Sequence, residues 1–217
     1  MINSKSKTLI PDAVKKKYLA WLEIVVTYVL GFNLHPNLLS LIGFSLIIIS
    51  VGFIVSGYLH IAAGIMLLAG IFDNIDGLVA RKTHTISKFG ALLDSTLDRA
   101  SEFLFLAGTT YFFIRKGLYP TAVAASSAAC FSFLVSYIRA RAEGLGFICD
   151  VGFLQREERV ALLGITGVLH TILFIVVIWF IAFTSLFTVG QRLLYIWKED
   201  EEIKKKEKRQ KTKKVSS

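Results

Sequence analysis

The sequence predicts an all-α, polytopic integral membrane protein with six transmembrane helices, preceded by an N-terminal interfacial amphipathic helix. Three observations carry this expectation. Of 217 residues, 54% are hydrophobic and 12% aromatic, with only three prolines, which suits one compact polytopic domain and leaves no room for a soluble second domain. The apolar residues gather in stretches near 38–59, 61–80, 89–114, 119–140, 157–173 and 174–197, each about as long as a membrane crossing requires. Basic residues, finally, collect on alternate connections between those stretches.

The first segment, residues 1–36, runs ahead of the spans. From Pro11 to Phe32 it joins Lys15, Lys16 and Lys17 to Trp21, Leu22, Ile24, Val25 and Tyr28, the mixture of an interfacial helix. Glu23 and the short apolar length argue against a seventh span, and no charged-apolar-small cleavage pattern marks a removable signal. Residues 37–197 are then expected to form the six-helix transmembrane catalytic domain. The limit between its last two spans is soft, because Val160 to Tyr195 contains no strong break. Ala122 to Ala129 would let helices approach closely, within one chain or between two. Residues 198–217 are a charged tail: Glu199-Asp200-Glu201-Glu202 precedes a lysine-rich run through Lys214, expected to be partly disordered and cytoplasmic.

Orientation follows from the cations. Lys5, Lys7 and Lys15–Lys17 precede span one, Arg81, Lys82 and Lys88 join spans two and three, and Arg139, Arg141, Arg156 and Arg159 surround the four-to-five connection. The opposite connections carry chiefly Arg115 and Lys116, so both termini are expected at the cytoplasmic face of a cell membrane. Cys130 and Cys149 have no metal-binding spacing and read as structural, without a disulfide. His84 suits a wet loop and His170 a helix junction.

Acidic residues break the apolar pattern at one place. Asp73-x-x-Asp76-Gly77-x-x-Ala80-Arg81 is followed, after eight residues, by Gly90-x-x-x-Asp94-x-x-x-Asp98. A carboxylate at bilayer depth costs several kcal/mol unless it meets water, a partner or a cation. On helices, Asp73 and Asp76 share one face by their i, i+3 spacing, and Asp94 and Asp98 share another by i, i+4. The polar link Arg81–Lys88 turns the chain back, so the two claws oppose each other. Oxygen-only ligands suit a hard cation, Mg²⁺ or Mn²⁺, better than zinc. Gly77 and Gly90 clear side chains beside the claws.

Residues 73–98, DNIDGLVARKTHTISKFGALLDSTLD, resemble the signature of the CDP-alcohol phosphotransferases, also called CDP-alcohol phosphatidyltransferases, and all eight fixed positions of that signature are met. These membrane enzymes join an alcohol to the phosphatidyl group of a CDP-linked lipid and release CMP. The resemblance implies two divalent ions held by Asp73, Asp76, Asp94 and Asp98, and a further role for Asp98 as general base toward the acceptor hydroxyl. It places the nucleotide against Gly77 and Gly90, with Arg81 on the diphosphate and Ser87 nearby. Asn37, Leu38, Leu39 and Ser40, within His35-Pro36-Asn37-Leu38-Leu39-Ser40, are similar to the family's element that helps hold the CDP headgroup. Without the resemblance, Asn37 reads as a helix cap, Arg81 as an anchor at a helix end and Asp98 as a metal ligand only.

The acceptor is read from cations. Ser136-Tyr137-Ile138-Arg139-Ala140-Arg141-Ala142-Glu143-Gly144-Leu145-Gly146 and Arg156-Glu157-Glu158-Arg159 bring several arginines to the cytoplasmic mouth, more than a neutral alcohol needs, so the acceptor is expected to carry a phosphate. The same stretch resembles phosphatidylinositol phosphate synthases, with Arg139 standing where lysine is usual. That likeness implies acceptor-phosphate binding by Ser136, Arg139, Arg141, Arg156, Arg159 and Arg192, with inositol phosphate as acceptor, a CDP-linked diacyl or ether lipid as donor, and a homodimer in membrane lipid with no nucleic-acid partner. Glycerol 3-phosphate as acceptor and a CDP-inositol donor are the nearest alternatives. A divalent-cation transporter is the alternative from another class, though it leaves Gly77, Arg81 and Gly90 without a role.

Overall fold

Helix ends fall where the sequence supplies a cap or a residue that tolerates the reversal. The structure, a computed structural model, describes residues 12–31 and 34–215. Its helices are α1 (Asp12–Leu30), α2 (Pro36–Val55), α3 (Leu59–Lys82), α4 (Lys88–Arg115), α5 (Tyr119–Gly144), α6 (Arg156–Leu169) and α7 (Thr171–Val215), with no strand among the described residues. Pro36 opens α2, where its missing N–H is harmless, and the His35 ring nitrogen accepts from Asn37 N at 3.2 Å. His35 is therefore the cap, and Asn37 is left for another role. The α2–α3 and α4–α5 hairpins reverse at Gly57 (φ 99°) and Gly117 (φ 71°), in the left-handed region where a side chain is strained.

At the other end of the bundle, Ser87 caps α4 by accepting from Gly90 N at 2.9 Å. Gln155 N donates to Glu158 Oε2 at 2.9 Å, which starts α6 one residue later at Arg156. The last two apolar stretches divide at His170, the expected helix junction, a few residues before the limit between 173 and 174 expected from hydropathy. Its backbone is extended (φ −162°, ψ 135°), and its ring accepts from Ile172 N at 3.1 Å, a local cap that hydropathy does not reveal.

The helices pack as neighbours α2 with α3 and α4, α4 with α5, α3 with α6, and α7 with α5 and α6. Small residues let the axes close in: a Cβ on Gly108 would lie 2.7 Å from Ile54, and one on Gly167 would lie 2.6 Å from the Ala63 Cβ. Ala122, Ala124, Ala125, Ala128 and Ala129 are all buried in the main core, so close approach along α5 is used within the chain. α1 sits apart from that core. Leu22 and Val26, one turn apart, bury against Leu39 of α2 and Ile75 and Val79 of α3, while Trp21, Ile24 and Tyr28 stay exposed.

Four described helices are long and apolar enough to cross a membrane: Pro36–Val55, Leu59–Lys82, Tyr119–Gly144 and Thr171–Lys206. The chain is a membrane protein on that ground. α4 has the length but carries Asp94, Asp98, Arg99 and Glu102, and α6, at 14 residues, spans only about 21 Å. The tail departs from the expected partial disorder, since α7 continues as one helix to Val215. Glu and Lys are good helix formers, and Lys204 lies 2.5 Å from Asp200 across one turn, which favours continuation.

Candidate active site

The acid cluster forms where the C-terminal turns of α3 meet the N-terminal half of α4. Ligand oxygens of Asp73, Asp94 and Asp98 lie within 4.8 Å of one another, all partly buried. Three carboxylates this close need a countercharge, and an oxygen-only donor set fits Mg²⁺ or Mn²⁺. Arg156, from the first turn of α6, already supplies one positive group: its Nη1 is 2.6 Å from Asp98 Oδ2 and 3.1 Å from Asp73 Oδ2. Its Nε is buried with no hydrogen-bond partner, a donor available to an anion.

Asp76 stands outside this group of three. It is buried, and its Oδ2 accepts from Ser40 Oγ at 2.5 Å, which ties α3 to α2. Two of the other sequence-predicted groups do converge. A Cβ on Gly90 would lie 2.9 Å from Ser87 Oγ and 3.2 Å from Asn37 Oδ1, so Asn37, Ser87 and Gly90 meet at one point. The Arg81 guanidinium lies over Gly77, 3.7 Å from where its Cβ would be. Leu38 is exposed, but Leu39 is 1% exposed and serves the packing of α1, α2 and α3, so its side chain reaches no ligand surface.

Two cavities flank the cluster. A narrow one of about 30 Å³ runs among α2, α3, α4 and α6 past Ser40, Gly70, Asp73, Asp94 and Glu102. The other, about 570 Å³, is bounded by Ser136, Arg139, Asp150, Arg159 and Arg192. Asp98 and Arg156 line both, forming a common wall.

In the larger cavity Arg192 is 8% exposed and donates from Nε to Val151 O at 2.8 Å and from Nη1 to Val135 O. Arg139 is half-exposed and pairs with Glu143 Oε1 at 2.9 Å and Asp150 Oδ1 at 3.1 Å. Arg159 is buried against Glu102. Arg141 departs from expectation: it is exposed and not among the residues lining the cavity, because its position on α5 turns it away from Ser136 and Arg139. Both cysteines are free, as expected; burial pushes the Cys149 thiol up, with Arg192 acting against it.

Sequence reasoning missed Glu102, Arg99 and Asp150. Glu102 had a signal, since it continues the i, i+4 series Gly90, Asp94, Asp98 by one more turn. Arg99 lines the larger cavity and donates to Ser95 O at 2.7 Å. Asp150 lies in the α5–α6 connection, where spacing carries no directional information.

A membrane-embedded helical bundle with an acid cluster beside a basic cavity is the setting for charge-neutralising transfer chemistry. The chain belongs to the CDP-alcohol phosphatidyltransferase family, whose model matches residues 33–198, and it is a transferase of that type. It is 35% identical over 179 residues to a phosphatidylinositol phosphate synthase of Corynebacterium glutamicum, covering 79% of this chain and 82% of that one. It is 36% identical over 146 residues to an archaetidylinositol phosphate synthase of Methanothermobacter thermautotrophicus, covering 65% and 72%. Among solved structures it resembles the Mycobacterium tuberculosis phosphatidylinositol phosphate synthase with CDP-DAG bound, at TM-score 0.74 and 26% identity over 81% of this chain and 93% of that one. The same mycobacterial protein in complex with manganese and citrate gives TM-score 0.72 at 28% identity, covering 81% and 88%.

Proposed function

We propose that this enzyme transfers a phosphatidyl group, or its ether-lipid equivalent, from a CDP-linked lipid to inositol phosphate, releasing CMP and forming a phosphorylated inositol lipid. One observation carries the reading: Asp98 belongs to the acid cluster and also lines the basic cavity beside Arg156, so a donor held at the acids meets an acceptor held in that cavity. The names of the relatives supply the donor and acceptor classes.

Asp73, Asp94 and Asp98, with Asp76 behind them, would hold divalent metal, Mg²⁺ or Mn²⁺ and two ions in our reading. Bound metal supplies neutralisation of the diphosphate and stabilisation of the departing CMP. Arg81 and the glycine-cleared surfaces at Gly77 and Gly90 hold the diphosphate and nucleotide, with Asn37, Ser40 and Ser87 alongside. Asp98 accepts the proton of the acceptor hydroxyl as its oxygen attacks the β-phosphorus and the bond to CMP breaks. Arg156, through its spare Nε donor, joins Ser136, Arg139, Arg159 and Arg192 in holding the acceptor's phosphate.

We further read α4 and α6 as the spans that complete a six-helix transmembrane set, since α4 has the length and α6 packs between α3 and α7. α1 then lies along the interface, and the acid cluster and both termini face the cytoplasm, following the basic connections. The working unit is a homodimer. The test is CMP release by purified, lipid-supplied protein given CDP-diacylglycerol, Mg²⁺ or Mn²⁺, and inositol phosphate, glycerol 3-phosphate or inositol in parallel. Turnover is expected with inositol phosphate above the other two. Preference for glycerol 3-phosphate would reassign the acceptor, and no turnover with any would overturn the reading.

A further inference from the structure

The chemistry above uses none of the carboxylate one turn beyond Asp98. Glu102 on α4 is 4% exposed and Arg159 on α6 is 2% exposed, both far inside a membrane protein. Arg159 Nε donates to Glu102 Oε1 at 2.6 Å and Nη2 to Oε2 at 2.9 Å, a side-on, two-point pair. Nη1 donates to Leu154 O at 3.1 Å, which fixes the guanidinium against the α5–α6 connection. A buried ion pair adds little net stability over an apolar pair of the same volume, because desolvation offsets the attraction. What it does provide is a defined orientation of a planar group with five N–H bonds in a rigid fork. Three of those bonds are directed at Glu102 and Leu154, and one remains on each terminal nitrogen. Arg159 also borders the basic cavity, while Glu102 borders the acid-lined one behind it.

We infer that Glu102 is a positioning residue for the acceptor's phosphate: it locks the plane of the Arg159 guanidinium so that the unused edge faces the basic cavity. The inference rests on the reading of that cavity as the acceptor-phosphate site. Glu102 touches no substrate and acts only through Arg159. Arg156 precedes Arg159 by three residues and Asp98 precedes Glu102 by four, so the two ion pairs between α6 and α4 lie one turn apart along one seam.

Glu102→Gln keeps the volume and one acceptor oxygen but sets an amide NH₂ against the other guanidinium N–H, so the two-point lock is lost. Its KM for inositol phosphate is expected to rise about tenfold or more, the usual scale for a charge-assisted bond. KM for the CDP-lipid and the affinity for Mn²⁺, read by electron paramagnetic resonance, are expected to stay at wild-type values. Glu102→Asp should fall between, since it keeps the carboxylate on a shorter stem. The double variant Glu102→Met, Arg159→Met should fold with near-wild-type thermal stability yet share the raised acceptor KM of Arg159→Gln.

A Glu102→Gln protein with lowered melting temperature but unchanged acceptor KM would overturn the inference, as would a double variant that recovers wild-type acceptor KM. If Glu102→Gln does not fold, Glu102→Asp decides by the same measurement, and an unchanged acceptor KM there overturns the inference equally. Arg159→Gln separates the two layers. If it too leaves acceptor KM unchanged, the reading of the cavity has failed; if it raises that KM while the Glu102 variants do not, only the positioning role has failed.

Discussion

Asp98 sits where two demands meet, being within the 4.8 Å acid cluster and in ion-pair contact with Arg156. On the proposed role of Asp98 as proton acceptor, Asp98→Asn is expected to lower kcat by about 10²–10⁴-fold, measured as CMP release at saturating substrates. Asp73→Asn should instead act first on metal, with a weakened Mn²⁺ signal at fixed concentration, because Asp73 is a cluster member that borders only the acid-lined cavity. At Gly90 the geometry is tighter. Gly90→Ala would push against Ser87 Oγ and Asn37 Oδ1, so KM for the CDP-lipid is expected to rise while acceptor KM holds. Much of this residue-level site was legible, since i, i+3 and i, i+4 spacing states which side chains share a helix face. Asp76 shows the limit of that rule. Its partner, Ser40, comes from 36 residues earlier, and such a contact follows from how α2 docks on α3, which spacing within one helix does not encode.

At the scale of helices, the close approach of α3 and α6 matters most, because it carries Arg156 to the acids. The Ala63 Cβ would lie 2.6 Å from a Cβ on Gly167 and cannot swing aside. Gly167→Leu is therefore expected to destabilise the protein by about 1–3 kcal/mol, visible as a lower midpoint of thermal unfolding in detergent, together with reduced activity from displacement of Arg156. The sequence marked the reversal between α3 and α4 through the polar Arg81–Lys88 link. Hydropathy left the limit between α6 and α7 soft, but His170 read as a helix junction, and the break falls at that one extended residue, capped by its own ring. The charged tail misled for a different reason: composition favouring solvation also favours a helix when Asp200 and Lys204 stand one turn apart.

Over the whole molecule, charge is divided. At the site, Asp73, Asp94, Asp98 and Glu102 come from α3 and α4 and Arg139, Arg156, Arg159 and Arg192 from α5, α6 and α7, and the two groups meet through Arg156 with Asp98 and Arg159 with Glu102. An acid group held close by the fold should bind metal in the folded state more strongly than in the unfolded one, so Mn²⁺ is expected to raise the melting temperature. At a hundred times its dissociation constant the gain would be about 2.7 kcal/mol; an unchanged melting temperature at saturating Mn²⁺ would show that the three carboxylates do not act as a site. The membrane character was evident from composition, whereas the division into two cavities was not, because it arises from the packing of six helices, α2 to α7, and the α5–α6 connection.

The shared boundary of Asp98 and Arg156 is only a side chain thick. On the proposed function, a single compound bearing a cytidine diphosphate for the acid cluster and a second phosphate on a short tether for the basic cavity would engage both sides of it at once. Its second attachment would become intramolecular, with an effective concentration in the millimolar range for a tether of matching reach. Two weak fragments joined across this boundary would make a strong and selective inhibitor.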